Sequence, residues 1–224
     1  MSIEVETKDC TALSDSDLAE MADLAEAAGA GYGIGVLSKQ AEAWVLITLA
    51  RRAETLVGYS FCTLERIGGT PSVLLGCAAV ARTGDQAAIL ADIMSDQYRR
   101  AVLAFPDEDV LVATRMARPD AFAAFELLED IIPRPGHKAS GEERAWGRRL
   151  VKRFGIEATA YDDRAFVVRG DGTPGCTMDH LATADVEHAA DVAAFFEQID
   201  GANGDVLIAF GWAMAEFLDS MLPE

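Results

Sequence analysis

Ser72-Val73-Leu74-Leu75-Gly76-Cys77-Ala78-Ala79-Val80, then Ala81-Arg82-Thr83-Gly84-Asp85, then Gln86 through Leu103, is the stretch that decides the fold class. The first run is short, almost wholly apolar and bounded by turn signals, as expected of a strand buried in a sheet. The last is helical, since Ile89, Leu90, Ile93, Met94, Ala101 and Val102 form one apolar stripe while Asp92, Asp96, Arg99 and Arg100 fall off it. A short polar loop with one glycine joins them.

Upstream, the pattern predicts a short strand at Ile3–Glu6 and a helix over Asp15–Ala28, with Ser14 and Asp17 spaced as a capping box. Gly29–Gly35 reads as a loop, and Ala43–Arg51 and Thr55–Arg66 as strands. Gly68-Gly69-Thr70-Pro71 closes a hairpin onto the strand Ser72–Val80. Downstream, strands and helices alternate: a strand at Asp109–Thr114, helices at Asp120–Ile131 and Gly141–Phe154, and a strand at Arg164–Arg169. The tail predicts a helix from Thr183 to Ile199 and another over Val206–Leu222, although Val206–Phe210 reads equally as a strand. The expected architecture is mixed α/β: a mostly antiparallel central sheet flanked by helices over residues 1–170, with an α-rich C-terminal extension, 171–224, packed on it.

The chain has 224 residues, half of them hydrophobic, which suits one domain or one domain with an appendage. Its net charge of −18 opposes phosphate binding and excludes a generic nucleic-acid binder. No apolar run reaches the ~18–20 residues of a membrane span. Cys10, Cys62, Cys77 and Cys176 lack the spacing of a redox or zinc motif. Together these features predict a soluble, cytoplasmic protein with no nucleic-acid or membrane partner.

The order strand–helix–three strands–helix–strand–helix–strand resembles the GNAT N-acyltransferases, which move acyl groups from coenzyme A, over roughly residues 3–169. The family's loop pattern is Gln or Arg, two residues, Gly, one residue, Gly or Ala. Arg82 and Ala87 match its ends, and Asp85 stands where the family has glycine. The resemblance implies that Ala79, Val80, Arg82, Thr83, Gly84, Asp85, Gln86 and Ala87 meet the coenzyme. The loop's backbone N–H groups and the helix start would face the pyrophosphate, and a donor on Ala78–Val80 would face the acyl oxygen. In a second motif, Pro119, Ala121 and Glu126 match, while Arg118 replaces the usual Asn and Phe125 the Tyr that often protonates the leaving thiolate. Phenylalanine has no proton to give.

The resemblance therefore implies acetyl-CoA or another acyl-CoA as co-substrate and a small-molecule or peptide amine as acceptor. Glu65, at a strand end, is the candidate base, with Asp109 a second carboxylate at a strand start. The alternative is a non-catalytic member of the fold that binds a ligand or protein and has lost coenzyme chemistry. Three further groups stand out in the sequence. Cys176, His180 and His188 have spacing poorly suited to one metal, and none is expected. Arg144, Arg148, Arg149, Lys152 and Arg153 form a basic helical face that reads as solvated or, less simply, as an anion site. Phe210, Trp212, Met214 and Phe217 read as core or, if exposed, as a homodimer patch.

Overall fold

A computed structural model describes residues 2–178 and 189–222. In chain order the elements are β1 (Ile3–Asp9), α1 (Asp15–Ala28), α2 (Ile34–Ala43), β2 (Leu46–Arg52), β3 (Thr55–Ile67), β4 (Thr70–Val80) and α3 (Gln86–Ala104). There follow β5 (Val110–Met116), β6 (Glu129–Ile132), α4 (Gly141–Arg153), β7 (Tyr161–Asp162), β8 (Val167–Val168), α5 (Ala189–Val192), β9 (Val206–Ala213) and α6 (Ala215–Asp219). The strands make one sheet in the order β1-β2-β3-β4-β5-β9-β8-β7, with β6 pairing β9. Every pairing is antiparallel except β4–β5, whose strands run parallel across the α3 connection. The mixed, mostly antiparallel sheet flanked by helices is the architecture expected from sequence.

Each face of the sheet carries its own core. Leu18, Met21, Leu24 and Leu37 of α1 and α2 pack on Tyr59, Phe61, Cys77 and Ala79. Ile89, Leu90, Ile93, Met94, Tyr98 and Val102 of α3 pack in the larger core with Val57, Leu75 and Val80. Full burial of such side chains contributes roughly 1.5–3 kcal/mol each. The α1 start is as the sequence predicts: Ser14 Oγ accepts from Asp17 N, and the Asp17 carboxylate accepts from Ser14 N in return.

Other segments differ from their sequence patterns. Val206–Ala213 is a strand, β9, lying between β5 and β8. Seven of its eight residues are buried, because a strand covered on both faces is apolar throughout rather than alternating. The tail is thus not simply an α-rich extension, and the boundary expected at residue 170 falls between β8 and β9, which pair directly through Val167↔Leu207 and Val168↔Val206. Its described helices, α5 and α6, span four and five residues, and the rest of the expected Thr183–Ile199 helix lies partly outside the described residues. Asp120–Ile131 is not an α-helix: a 3-10 turn, Pro119–Phe125, leads into β6, which β9 draws into the sheet through Glu129↔Trp212 and Ile132↔Phe210. Of Arg164–Arg169 only Val167–Val168 joins the ladder, since Phe166 takes a left-handed φ of 58° that breaks the extended backbone. Helix α2 begins inside the expected glycine loop, at Ile34, with Gly33 as its N-cap.

Candidate functional site

The parallel pair is the place where the sheet opens. β4 and β5 pair at Ser72↔Leu111, Val73↔Val112 and Leu74↔Ala113, and no further, although β4 runs on to Val80 and β5 to Met116. A bulge begins the divergence: between Cys62↔Leu75 and Ser60↔Ala78, two β4 residues, Gly76 and Cys77, oppose Phe61 alone. Gly76 is required there, because a Cβ would lie 2.6 Å from Trp44 Cε2 and 2.9 Å from Phe61 Cβ. Thr114 Oγ1 donates to Leu75 O, 3.0 Å, across the fork. Beyond it lies a wedge between two strands whose inward backbone groups need partners.

The chain itself supplies those partners. Cys176-Thr177-Met178, from the β8–β9 connection, enters the wedge as a strap. Ala78 N donates to Thr177 O and Met178 N donates to Arg115 O, both at 3.3 Å. Tyr32, in the α1–α2 loop, clamps the middle residue twice, its hydroxyl donating to Thr177 O at 3.0 Å and accepting from Thr177 N at 3.1 Å. Burial pushes the Tyr32 phenol up, so the hydroxyl keeps its proton for that double role. Cys176 packs against the α1/α2 core and the fully buried Met178 against the α3 core, so the strap passes through the sheet from face to face.

Arg82–Asp85 joins β4 to α3, which opens with Gln86 and Ala87, and several of the side chains in this stretch are engaged by one another and by neighbours. Asp85 pairs with Arg52 of β2 and accepts from Thr83 Oγ1 at 2.7 Å. The Thr83 hydroxyl, with the Arg52 guanidinium, holds its carboxyl below the usual range. A carboxylate thus stands at the start of α3. Gly84 takes φ of +89°, open to glycine at little cost, and its N–H donates to Gln86 Oε1, 2.9 Å. Arg82 Nε reaches back to Ala28 O, 3.3 Å, at the end of α1. Ala79 and Val80 are fully buried, paired with Tyr59 and Gly58 of β3. Ala87 borders a small recess with Leu90, Met94 and Tyr98.

Glu65 is placed elsewhere. It pairs with Ser72, six residues before Ala78, or about 20 Å along the strand. Its carboxylate forms an ion pair with Arg153 of α4. Asp109 accepts from Ala215 N, 2.9 Å, at the start of α6. Phe125 is fully buried, edge-on to Phe122 at 6.3 Å. Three of the five basic residues of α4 are engaged locally: Arg148 pairs with Asp163, Arg153 with Glu65, and Arg149 stacks on Trp146 at 4.7 Å. Phe210 is core, Trp212 meets Trp146 edge-on at 6.2 Å, and Phe217 meets Tyr98 at 6.0 Å. Asp179, His180, Glu187 and His188 lie outside the described residues.

Three residues escaped sequence reading: Tyr32, Thr177 and Arg115. Tyr32 lies 145 positions from Thr177, so no local pattern joins them. Arg115 did leave a signal, a lone charge inside an otherwise buried β5. Beside the strap, Cys77 and Arg115 bring the Cys176 thiol below its usual pKa, the Cys77 hydrogen bond contributing most, while burial raises Cys77.

No family model matches the chain, and no curated protein matches it significantly. Solved structures do. A ribosomal-protein alanine N-acetyltransferase from Escherichia coli is similar at 12% identity, covering 94% of this chain and 95% of that one, with a TM-score of 0.44. A Bacillus cereus IAA acetyltransferase is similar at 12% identity over 58% of this chain and 80% of that one, TM-score 0.39. A Staphylococcus aureus N-acetyltransferase is similar at 14% identity over 50% and 71%, TM-score 0.38. The chemistry has to come from this chain's own residues.

Proposed function

We propose that this chain is a ligand-binding protein built on an acyltransferase-type fold, with its acyl-coenzyme site filled from within. One observation carries the reading: Thr177 O holds the Ala78 N–H, the backbone donor that an acyl oxygen would need. Two others agree with it, the Arg52-bound Asp85 in the loop and the buried, hydroxyl-free Phe125.

Thermal unfolding with millimolar acetyl-CoA or free CoA tests this. A ligand at a hundred times its Kd adds about 2.7 kcal/mol, which is roughly 5–10 °C in midpoint for a chain of this length. No shift is expected with either compound; a shift of that size overturns the reading. A second reading, an acyl-CoA-dependent N-acyltransferase acting on an amine, is favoured by the β4–α3 junction, where Gly84 still makes a tight turn before a 19-residue helix. In that reading the strap must leave the wedge before the coenzyme enters.

A further inference from the structure

Arg115 is the one charged residue of β5, whose other six side chains are all buried. Its Nε is buried without a hydrogen bond, and among the described residues no carboxylate pairs with its guanidinium. In a chain with 37 acidic and 19 basic residues, an arginine without a carboxylate needs a reason. Burying a lone charge is costly, and burial pulls this guanidinium below the usual arginine pKa. The group is nevertheless held in place, its Cζ 5.2 Å over the Phe154 ring.

It borders a cavity of about 310 Å³ between α2, β3, β4, β5 and the end of α4. Trp44 and Phe154 form apolar walls, and Gln40 and Thr63 supply polar edges. The other cation of the lining, Arg153, is neutralised by Glu65. The cavity therefore presents one uncompensated positive charge, in the planar fork that matches a carboxylate two bonds at a time. A dianionic phosphate would keep half its charge unmet here. The volume is at the low end of small-molecule sites.

We propose that this cavity binds a small monocarboxylate with an aromatic or other flat apolar body, Arg115 forking onto the carboxylate and Trp44 and Phe154 flanking the body. The proposal rests on the ligand-binding reading above and gives it a chemical class.

Benzoate and phenylacetate are the probes and benzyl alcohol the neutral control, each added to the full-length protein at about millimolar concentration, where ligands this small bind. Both carboxylates are expected to move the Arg115 Nε and Trp44 indole resonances in nitrogen-15 spectra, and the alcohol is not. Arg115→Lys keeps the charge but loses the fork, and should weaken benzoate by about tenfold or more. Arg115→Met should abolish binding with its melting midpoint kept or raised, since a lone buried charge is gone. Wild-type resonances unmoved by either carboxylate overturn the proposal, as does an Arg115→Met protein that binds benzoate like the wild type. The wild-type spectra decide the matter even if Arg115→Met fails to fold. Silence toward carboxylates together with silence toward acetyl-CoA refutes this proposal alone, whereas an acetyl-CoA shift refutes the ligand-binding reading whether or not benzoate binds.

Discussion

Replacing Tyr32 with Phe removes one oxygen and keeps the ring, so it isolates the clamp on the strap. Two hydrogen bonds are lost. Thr177 O still accepts from Ala78 N, which limits that loss to about 1 kcal/mol. Among the described residues Thr177 N has no other partner and is left as a buried donor, a further ~1 kcal/mol. Closure of the wedge should weaken by about 2 kcal/mol, roughly 30-fold in the opening equilibrium. Native-state hydrogen exchange reads this at the Ala78 and Met178 amides, whose acceptors are Thr177 O and Arg115 O. Both should exchange about 30-fold faster in Tyr32→Phe, with the α3 amides slowed or hastened only as global stability changes. If Ala78 and Met178 gain no more than α3 does, the strap is not an independently opening element and the reasoning fails. The same variant separates the two functional readings. A wedge opened 30-fold more often raises the apparent affinity of anything that needs it open by about that factor. Acetyl-CoA binding that emerges in Tyr32→Phe would favour a transferase held shut, and its absence favours the ligand-binding protein.

Cys176 should be the first thiol to react with iodoacetamide near neutral pH: it is half-buried and its thiol pKa is lowered, whereas burial pushes Cys10 and Cys62 up to about 12; labelling of Cys62 first, read by peptide mass spectrometry, would contradict this. Asp205 is buried, yet hydrogen bonds from Gly170 N, Asn203 Nδ2 and Arg169 outweigh that and hold its carboxyl at about 2. A depressed carboxyl contributes stability above its unfolded pKa and loses it as pH falls, so the urea midpoint should drop between about pH 4 and pH 2, and Asp205→Asn should flatten that drop; parallel profiles would remove Asp205 from the account. Gly170→Ala should lower the melting midpoint sharply, because its Cβ would lie 1.9 Å from the Asn203 carbonyl oxygen, a backbone atom that cannot swing aside; an unchanged midpoint would place the β8–β9 connection differently. Deleting residues 175–224 takes β9 from between β5 and β8 and should leave insoluble or molten protein, a soluble cooperative truncation being the contrary result.

The half of the fold that was legible is the half governed by local pattern. α1 and α3 declare themselves by apolar residues at helical spacing, and β3 and β4 by long apolar runs joined at Gly68-Gly69. β9 was ambiguous because a run such as Val206–Phe210 suits a buried helix or a strand covered on both sides, and only β5 and β8, lying on either side of it, decide. β6 exists because β9 is there to pair with it, so a reading that missed one missed the other. At the site, the Arg82–Ala87 junction was visible as strand, glycine loop and helix. What fills the wedge was not, since the strap's partners Tyr32, Ala78 and Arg115 are scattered along the chain and none is unusual in its own neighbourhood.

The wedge also explains why a carboxylate is tolerated in the adjoining loop. Two parallel strands that part leave backbone donors and acceptors facing each other across the gap, and buried groups of that kind need partners. A coenzyme can supply them, and then the loop at the head of α3 must stay free of negative charge. Here the strap supplies them, with the Ala78 N–H and the Arg115 carbonyl both occupied by Thr177 and Met178. On the proposed reading no anion has to approach Gly84, and Asp85 pairs with Arg52, tying the loop to β2. Phe125 fits the same reading: a hydroxyl in that core would be one more buried group in need of a partner, and a bare ring packs against Phe122 without one. On the proposed ligand-binding reading, the strap, the loop carboxylate and the absence of a hydroxyl at Phe125 share one condition, a wedge closed by the chain's own backbone. The proposed ligand is then to be sought on the α2 side of the sheet, where Arg115 has no carboxylate partner among the described residues.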